Sequence, residues 1–254
     1  MVTAAGNSSG TPTYKITKPD GSSGFVGQGT LVDVGGEKVL TTAKHVVNPG
    51  FKPEGSISTG AGNGFSNQED GAPSRYSATN PTGNPFASSQ GSGDAGGEVK
   101  VEKYIGTEKV GETTASVKET SDPSADLVGL NLKDKNLISD DPGAQLPTEG
   151  SKLNPQNAYI PNPKTGGEID NPTASVEAAS DSTSSNPDEK VYQVSSNPEA
   201  VGHGVSGGPL ETKNGEQRVL LGNVNNGVPD TGQIGVLDAT KPRVQDLYRE
   251  LAVA

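Results

Sequence analysis

Apolar and β-branched residues fall in short runs, Gly29 to Val47, Val99 to Val110, Asp126 to Leu132, Val191 to Val194, Pro209 to Val228 and Ile234 to Leu237, separated by clusters of Gly, Pro, Asn and Ser. Runs of this kind between turn residues predict strands. Gly24 to Val34, then Gly35-Gly36, then Lys38 to Val47 carry the signature of a hairpin. Between Glu98 and Leu132 the alternation at Val99, Val101 and Ile105, then Val117, then Leu127 to Leu132 predicts half-buried antiparallel strands. The period changes only at the end, where Val244, Leu247, Tyr248 and Leu251 make one apolar face at i, i+3, i+4 and i+7. Pro242 suits the first turn after Thr240, so the chain is expected to close with a single helix.

Other stretches carry no period. Residues 1–23 read as a loose polar arm with one early strand around Tyr14 to Ile16. Residues 48–97, rich in Gly, Ser, Asn and Pro, read as a surface insertion on which no strand is placed. Residues 171–189, rich in Ser, Asp and Asn, read as a second mobile insertion. With 29% hydrophobic and 4% aromatic residues, 35 Gly and 19 Pro, the composition would suit a disordered chain if spread evenly. It is concentrated instead, which predicts an all-β barrel core with swollen loops; 254 residues suffice for one large domain or two modest ones.

A net charge of −11 argues against nucleic acid or an anionic membrane surface as partner, since both would repel the molecule. There is no cysteine, hence no disulfide framework and no thiolate metal site. No stretch approaches the roughly 20 apolar residues of a membrane span. Met1 to Tyr14 lacks a basic region followed by an apolar one, so any leader is expected to have been removed or never to have existed.

Three segments carry candidate chemistry. In Gly202-His203-Gly204-Val205-Ser206-Gly207-Gly208-Pro209-Leu210 a serine is flanked by glycines, which permit unusual backbone angles and close approach of a ligand. Such a turn exposes the hydroxyl and lets the N–H groups of Gly204 and Ser206 point at one spot, as oxyanion stabilisation requires. In Val39 to Val47 a strand runs into His45. In Ser124 to Leu132 an aspartate, Asp126, stands just before an apolar run. Taken singly, a histidine near apolar residues is a packed or surface imidazole, and an aspartate before a strand is a turn residue.

Together these segments resemble the G-x-S-G-G-P-L, V-L-T-A-x-H-V-V and D-hydrophobic-A-L-L-x-L motifs of the trypsin and chymotrypsin type of serine peptidase, in that family's chain order His, Asp, Ser. Leu220 to Gly227 is similar to the strand lining the family's specificity pocket, and the terminal helix to its last element. The resemblance implies two six-stranded antiparallel β-barrels with a C-terminal helix and long low-complexity insertions. The expected division is an arm over 1–23, a first barrel over 24–140 carrying His45 and Asp126 with the insertion 48–97, and a second over 141–254 carrying Ser206 with the insertion 171–189. It further implies a serine endopeptidase with Ser206 as nucleophile, His45 as base, Asp126 orienting His45, and Gly204 and Ser206 as the oxyanion hole. A monomer acting on polypeptide substrate, without metal or organic cofactor, secreted or held at the cell surface, completes the expectation.

Departures refine this. Val205 stands where animal relatives carry an aspartate that pairs with a freed N-terminal amine, and residues 1–23 lack an Ile-Val-Gly-Gly start. Activation of that kind is not expected, and bacterial trypsin-like peptidases are the nearer likeness. Ala200, six before Ser206, replaces the acidic residue of trypsin, with Val201 beside it; Asn225, Asn226, Gly227 and Gly235 are expected to complete a neutral pocket for uncharged side chains. His203 is either an exposed loop residue or a contact at the pocket rim that, when protonated, favours an acidic side chain. Acidic pairs such as Glu69-Asp70 and Asp140-Asp141 read as solvated turns ahead of calcium sites. Two other readings stand against the peptidase: a binding or adhesion protein keeping the barrels without catalysis, and a passive Gly-rich surface protein.

Overall fold

A computed structural model describes residues 11–17, 27–48, 51, 57–58, 97–148, 158–161, 174–178, 183–184, 186–194, 204–228 and 232–253. The first half runs β1 (Pro12–Thr17), β2 (Gly27–Val34), β3 (Glu37–Thr42), α1 (Lys44–Val47), β4 (Ile57–Ser58), β5 (Glu98–Ile105), β6 (Glu108–Glu119), β7 (Val128–Leu132) and α2 (Asn136–Ser139). Strands β1, β5, β6, β7, β3 and β2 pair in that order, all antiparallel, and Tyr14 opposite Gly29 returns β2 to β1. The ring is closed, which removes the unpaired edges an open sheet would present. Inside it pack Tyr14, Ile16, Leu31, Leu40, Val99, Val101, Ala115, Val128 and Leu130.

The second half runs β8 (Ala144–Gln145), β9 (Ala158–Ile160), β10 (Ala174–Ala178), β11 (Thr183–Ser184), β12 (Glu189–Val194), β13 (Pro209–Asn214), β14 (Gln217–Val228), β15 (Gln233–Asp238) and α3 (Pro242–Ala252). Here β14, β13, β9, β10, β12 and β15 pair in order, and β15 returns to β14 with Val224 opposite Val236. The second antiparallel barrel encloses Ile160, Tyr192, Val194, Leu210, Leu221, Val224, Ile234 and Val236. The protein is therefore an all-β molecule of two six-stranded barrels closed by a C-terminal helix.

Between the barrels, β8 pairs in parallel with both β2 and β14. Val32, Leu127, Leu220 and Leu237 meet Val244, Leu247, Tyr248 and Leu251 of α3 there, the apolar face that the helical spacing predicted. Pro242 occupies the first turn, where its missing N–H goes unneeded. Each buried side chain of this face contributes about 2 kcal/mol, so α3 clamps the two barrels on each other.

Three expectations are corrected. Residues 171–189 are not all loop: Val176 lies opposite Val194 in the ladder of β10 with β12, because a barrel needs every stave paired. In the insertion 48–97, Ile57–Ser58 pairs with Thr183–Ser184, so short main-chain ladders form without an apolar pattern to announce them. Of the pair Asp140-Asp141, only Asp140 is exposed as a solvated turn residue would be. Asp141 is buried and accepts from the Tyr14 hydroxyl and, at 2.7 Å, from Lys103 Nζ. The early strand within residues 1–23 is a stave of the first barrel. Among the described residues no helix is long and apolar enough to cross a membrane.

Candidate active site

Strand register brings His45 and Asp126 together. Thr42 at the end of β3 lies opposite Val128 at the start of β7, so the turn leaving β3 faces the turn entering β7. His45 falls in the one-turn helix α1, whose start is held by Lys44: its ammonium pairs with Glu119 and donates to the Pro123 carbonyl at 3.3 Å. Asp126, 3% exposed, then takes both of histidine's available donors. Its Oδ1 accepts the His45 backbone N–H at 3.0 Å and its Oδ2 lies 2.7 Å from Nδ1. A buried carboxylate in that position selects the Nδ1–H tautomer and leaves Nε2 as the basic nitrogen.

Ser206 comes from the second barrel, on the turn that enters β13. Val205 anchors this turn by packing into the barrel core with Leu210, Leu221 and Val224. The turn is also tied across to the first barrel, where Gln28 N–H donates to the Ser206 carbonyl at 2.8 Å and Thr30 Oγ1 donates to the Gly207 carbonyl at 2.9 Å. Gly207, at φ +81°, lies so close to β3 that an added Cβ would stand 2.2 Å from Thr42 Oγ1 and 2.9 Å from the Ala43 nitrogen. The residue after Ser206 thus presses on the segment that enters His45. An added Cβ at Gly27 would meet Val46 at 2.5 Å and the Ser206 carbonyl at 2.9 Å, so one glycine separates the two loops.

Sequence comparison is silent: no family model matches the chain, and no curated protein does. Comparison of structures is not. The crystal structure of protease Anisep from Arthrobacter nicotinovorans superposes with a TM-score of 0.53 at 12% identity, covering 96% of each chain. A thermostable serine protease, AL20, from an extremophilic microorganism superposes at 0.50 and 11% identity, covering 94% of this chain and 95% of that one. The fold is that of the trypsin-like serine proteases.

In this trypsin-like fold, the residues expected to line the pocket divide. Ala200, Val201 and His203 lie outside the described residues. Asn225 sits in a β-bulge where β14 pairs with β15, between Val224 and Asn226, and the bulge re-aims its carbonyl at Ser206 Oγ, 3.5 Å away. Among the described residues the buried Asn225 Oδ1 has no hydrogen-bond partner, an acceptor ready for a donor brought by water or a ligand. Asn226 Oδ1 accepts the Gly235 N–H at 3.1 Å, which joins two of the expected pocket residues directly.

Sequence reasoning missed Glu189. It ends the stretch rich in Ser, Asp and Asn that reads as a mobile insertion; only the barrel closure turns it inward. Its Oε1 accepts from Asn226 Nδ2 at 2.9 Å and would stand 2.3 Å from a Cβ at Gly235, while Ser184 Oγ donates to Oε2. Burial first, and the nearby Asp126 charge after it, push the carboxyl above its usual range, against the hydrogen bonds from Ser184 and Asn226. Asn226 and Gly235, expected to line a neutral pocket, therefore have a carboxyl beside them. Because the folded pKa exceeds the unfolded one, ionisation opposes folding: the penalty is absent below the usual carboxylate range and grows as pH rises through the folded pKa. Glu189→Gln is expected to raise the melting temperature at pH 8 and to give no gain at pH 4. A difference independent of pH in thermal melts would show the carboxyl to be solvated.

Proposed function

We propose that the protein is a serine endopeptidase acting on polypeptides. The observation that carries this reading is the double grip of Asp126 on His45, through both Nδ1 and the backbone N–H, beside a glycine-flanked serine turn tied to the same barrel. In this reading Ser206 Oγ turns from the Asn225 carbonyl toward His45 Nε2 and attacks the peptide carbonyl carbon as its proton passes to Nε2. The C–N bond then breaks, His45 gives the proton to the departing amine, and an acyl-serine ester remains. Water repeats the sequence and releases the acid. Asp126 holds the tautomer and balances the imidazolium charge.

The oxyanion falls to the N–H groups of Gly204 and Ser206. Gly207 and Gly208 spend theirs on the Val224 and Val205 carbonyls, at 2.7 and 2.9 Å, and among the described residues no acceptor takes the other two. Gly204 holds φ +99°, which side-chain-bearing residues rarely adopt. The chemistry requires neither metal nor organic cofactor. Ala200 in place of an acidic residue supports a preference for uncharged side chains, with Glu189 as the group that can modify it. Secretion or surface display and a monomeric state belong to the same reading.

A fluorophosphonate probe, which esterifies an activated serine, should label the wild type and not Ser206→Ala, and the wild type should cleave casein. Mixed-peptide profiling of the cleaved bonds then reads the pocket. A folded wild type that neither takes the probe nor cleaves would leave the barrels as a binding protein.

A further inference from the structure

Beneath the Ser206 turn lies a buried polar chain that the proposed chemistry does not use. Asn223, fully buried in β14, donates from Nδ2 to the Gly207 carbonyl at 3.2 Å and approaches Thr41 Oγ1 at 3.4 Å. On its other side Asn223 Oδ1 accepts the hydroxyl proton of Tyr248, a fully buried residue of α3. Thr41 Oγ1 in turn donates to the Thr30 carbonyl at 3.3 Å, and Thr30 Oγ1 is the second donor to the Gly207 carbonyl. One amide therefore links the nucleophile turn, the hairpin of the first barrel and the terminal helix.

The amide has only one workable orientation. The Gly207 carbonyl can only accept, so it must face Nδ2, and Tyr248 meets the remaining oxygen with its O–H. Reversal would set Oδ1 against the Gly207 oxygen, two acceptors in a dry site where an unpaired polar group is costly. Holding the Gly207 carbonyl fixes the orientation of the Gly207–Gly208 peptide and so restrains the residue that follows Ser206, which sits at a positive φ of +81°.

We infer that Asn223, oriented by Tyr248, is a positioning residue that holds the Ser206–Gly207 turn in its reactive shape, so that the seating of the C-terminal helix sets the efficiency of the nucleophile. The inference rests on the serine endopeptidase reading and adds to it a residue outside the three reacting side chains.

Asn223→Leu keeps the number and branching of the side-chain heavy atoms and removes both polar ends. Displacement of a reacting group by an ångström costs about 10²-fold in rate, so kcat is expected to fall by that order with KM unchanged, and the fluorophosphonate labelling rate to fall in proportion. Tyr248→Phe, which alters no packing and frees the amide to turn, should lower kcat in the same sense by a smaller factor. The double variant should be no slower than Asn223→Leu alone, since both act through one amide. Thermal melts accompany each variant, and if Asn223→Leu fails to fold, Tyr248→Phe decides. Undiminished kcat in folded variants, or a loss confined to KM, overturns the inference and leaves the endopeptidase standing. A wild type inert to the probe sinks the endopeptidase reading and this inference with it.

Discussion

Alanine in place of His45 or Ser206 is expected to lower kcat for peptide hydrolysis by at least ~10⁴, and the double variant to lose little more, because the base has no task without the nucleophile. Asp126 grips His45 through two hydrogen bonds of 3.0 and 2.7 Å, so Asp126→Asn should be nearly as damaging. An amide nitrogen placed beside Nδ1 would favour the tautomer with its proton on Nε2, the wrong nitrogen for receiving one from serine. Steady-state kinetics on a casein-derived peptide, with folding checked by circular dichroism, measures all four variants. Full activity in His45→Ala would remove the base from the mechanism.

Gly207→Ala is expected to cost both stability and activity. Its φ of +81° costs an L-residue about 1 to 3 kcal/mol. The added methyl would also stand 2.3 Å from the Gln28 carbonyl oxygen and 2.2 Å from Thr42 Oγ1, and the former is main chain of β2 that cannot swing aside. Overpacking of this kind adds about 1 to 3 kcal/mol. The turn must shift, and the shift carries Ser206 with it, so hydrolysis should drop by more than about 10²-fold alongside a lowered melting temperature. Gly215 supplies the control, since it too has a positive φ, +64°, yet nothing within 4 Å. Gly215→Ala should cost about 1 kcal/mol in thermal melts and leave activity alone. Equal behaviour of the two variants would mean that contact with the first barrel does not shape the nucleophile turn.

Much of the fold was legible in advance. Alternating Val99, Val101 and Val117 announced β5 and β6, Gly35-Gly36 announced the hairpin of β2 and β3, and the spacing of Val244, Leu247, Tyr248 and Leu251 announced α3. These elements each bury a face, and burial on one face writes a period into the sequence. Strands β4, β9, β10 and β11 left no such mark. They are two to five residues long and are held by main-chain pairing with neighbouring strands, which asks little of side chains.

The sequence by itself determined the local chemistry: a glycine-flanked serine, a histidine at the end of a strand, an aspartate at the start of another, and an order along the chain that relates them. Local backbone requirements and side-chain type suffice for that much. Only the tertiary structure decided which groups meet. The grip of Asp126 on His45, the tie of Ser206 to Gln28, the inward turn of Glu189 and the amide of Asn223 beneath Gly207 join residues separated by 16 to 178 positions. No residue type encodes such pairings, because they follow from the closure and docking of two barrels, where the burial of the whole core sets the register.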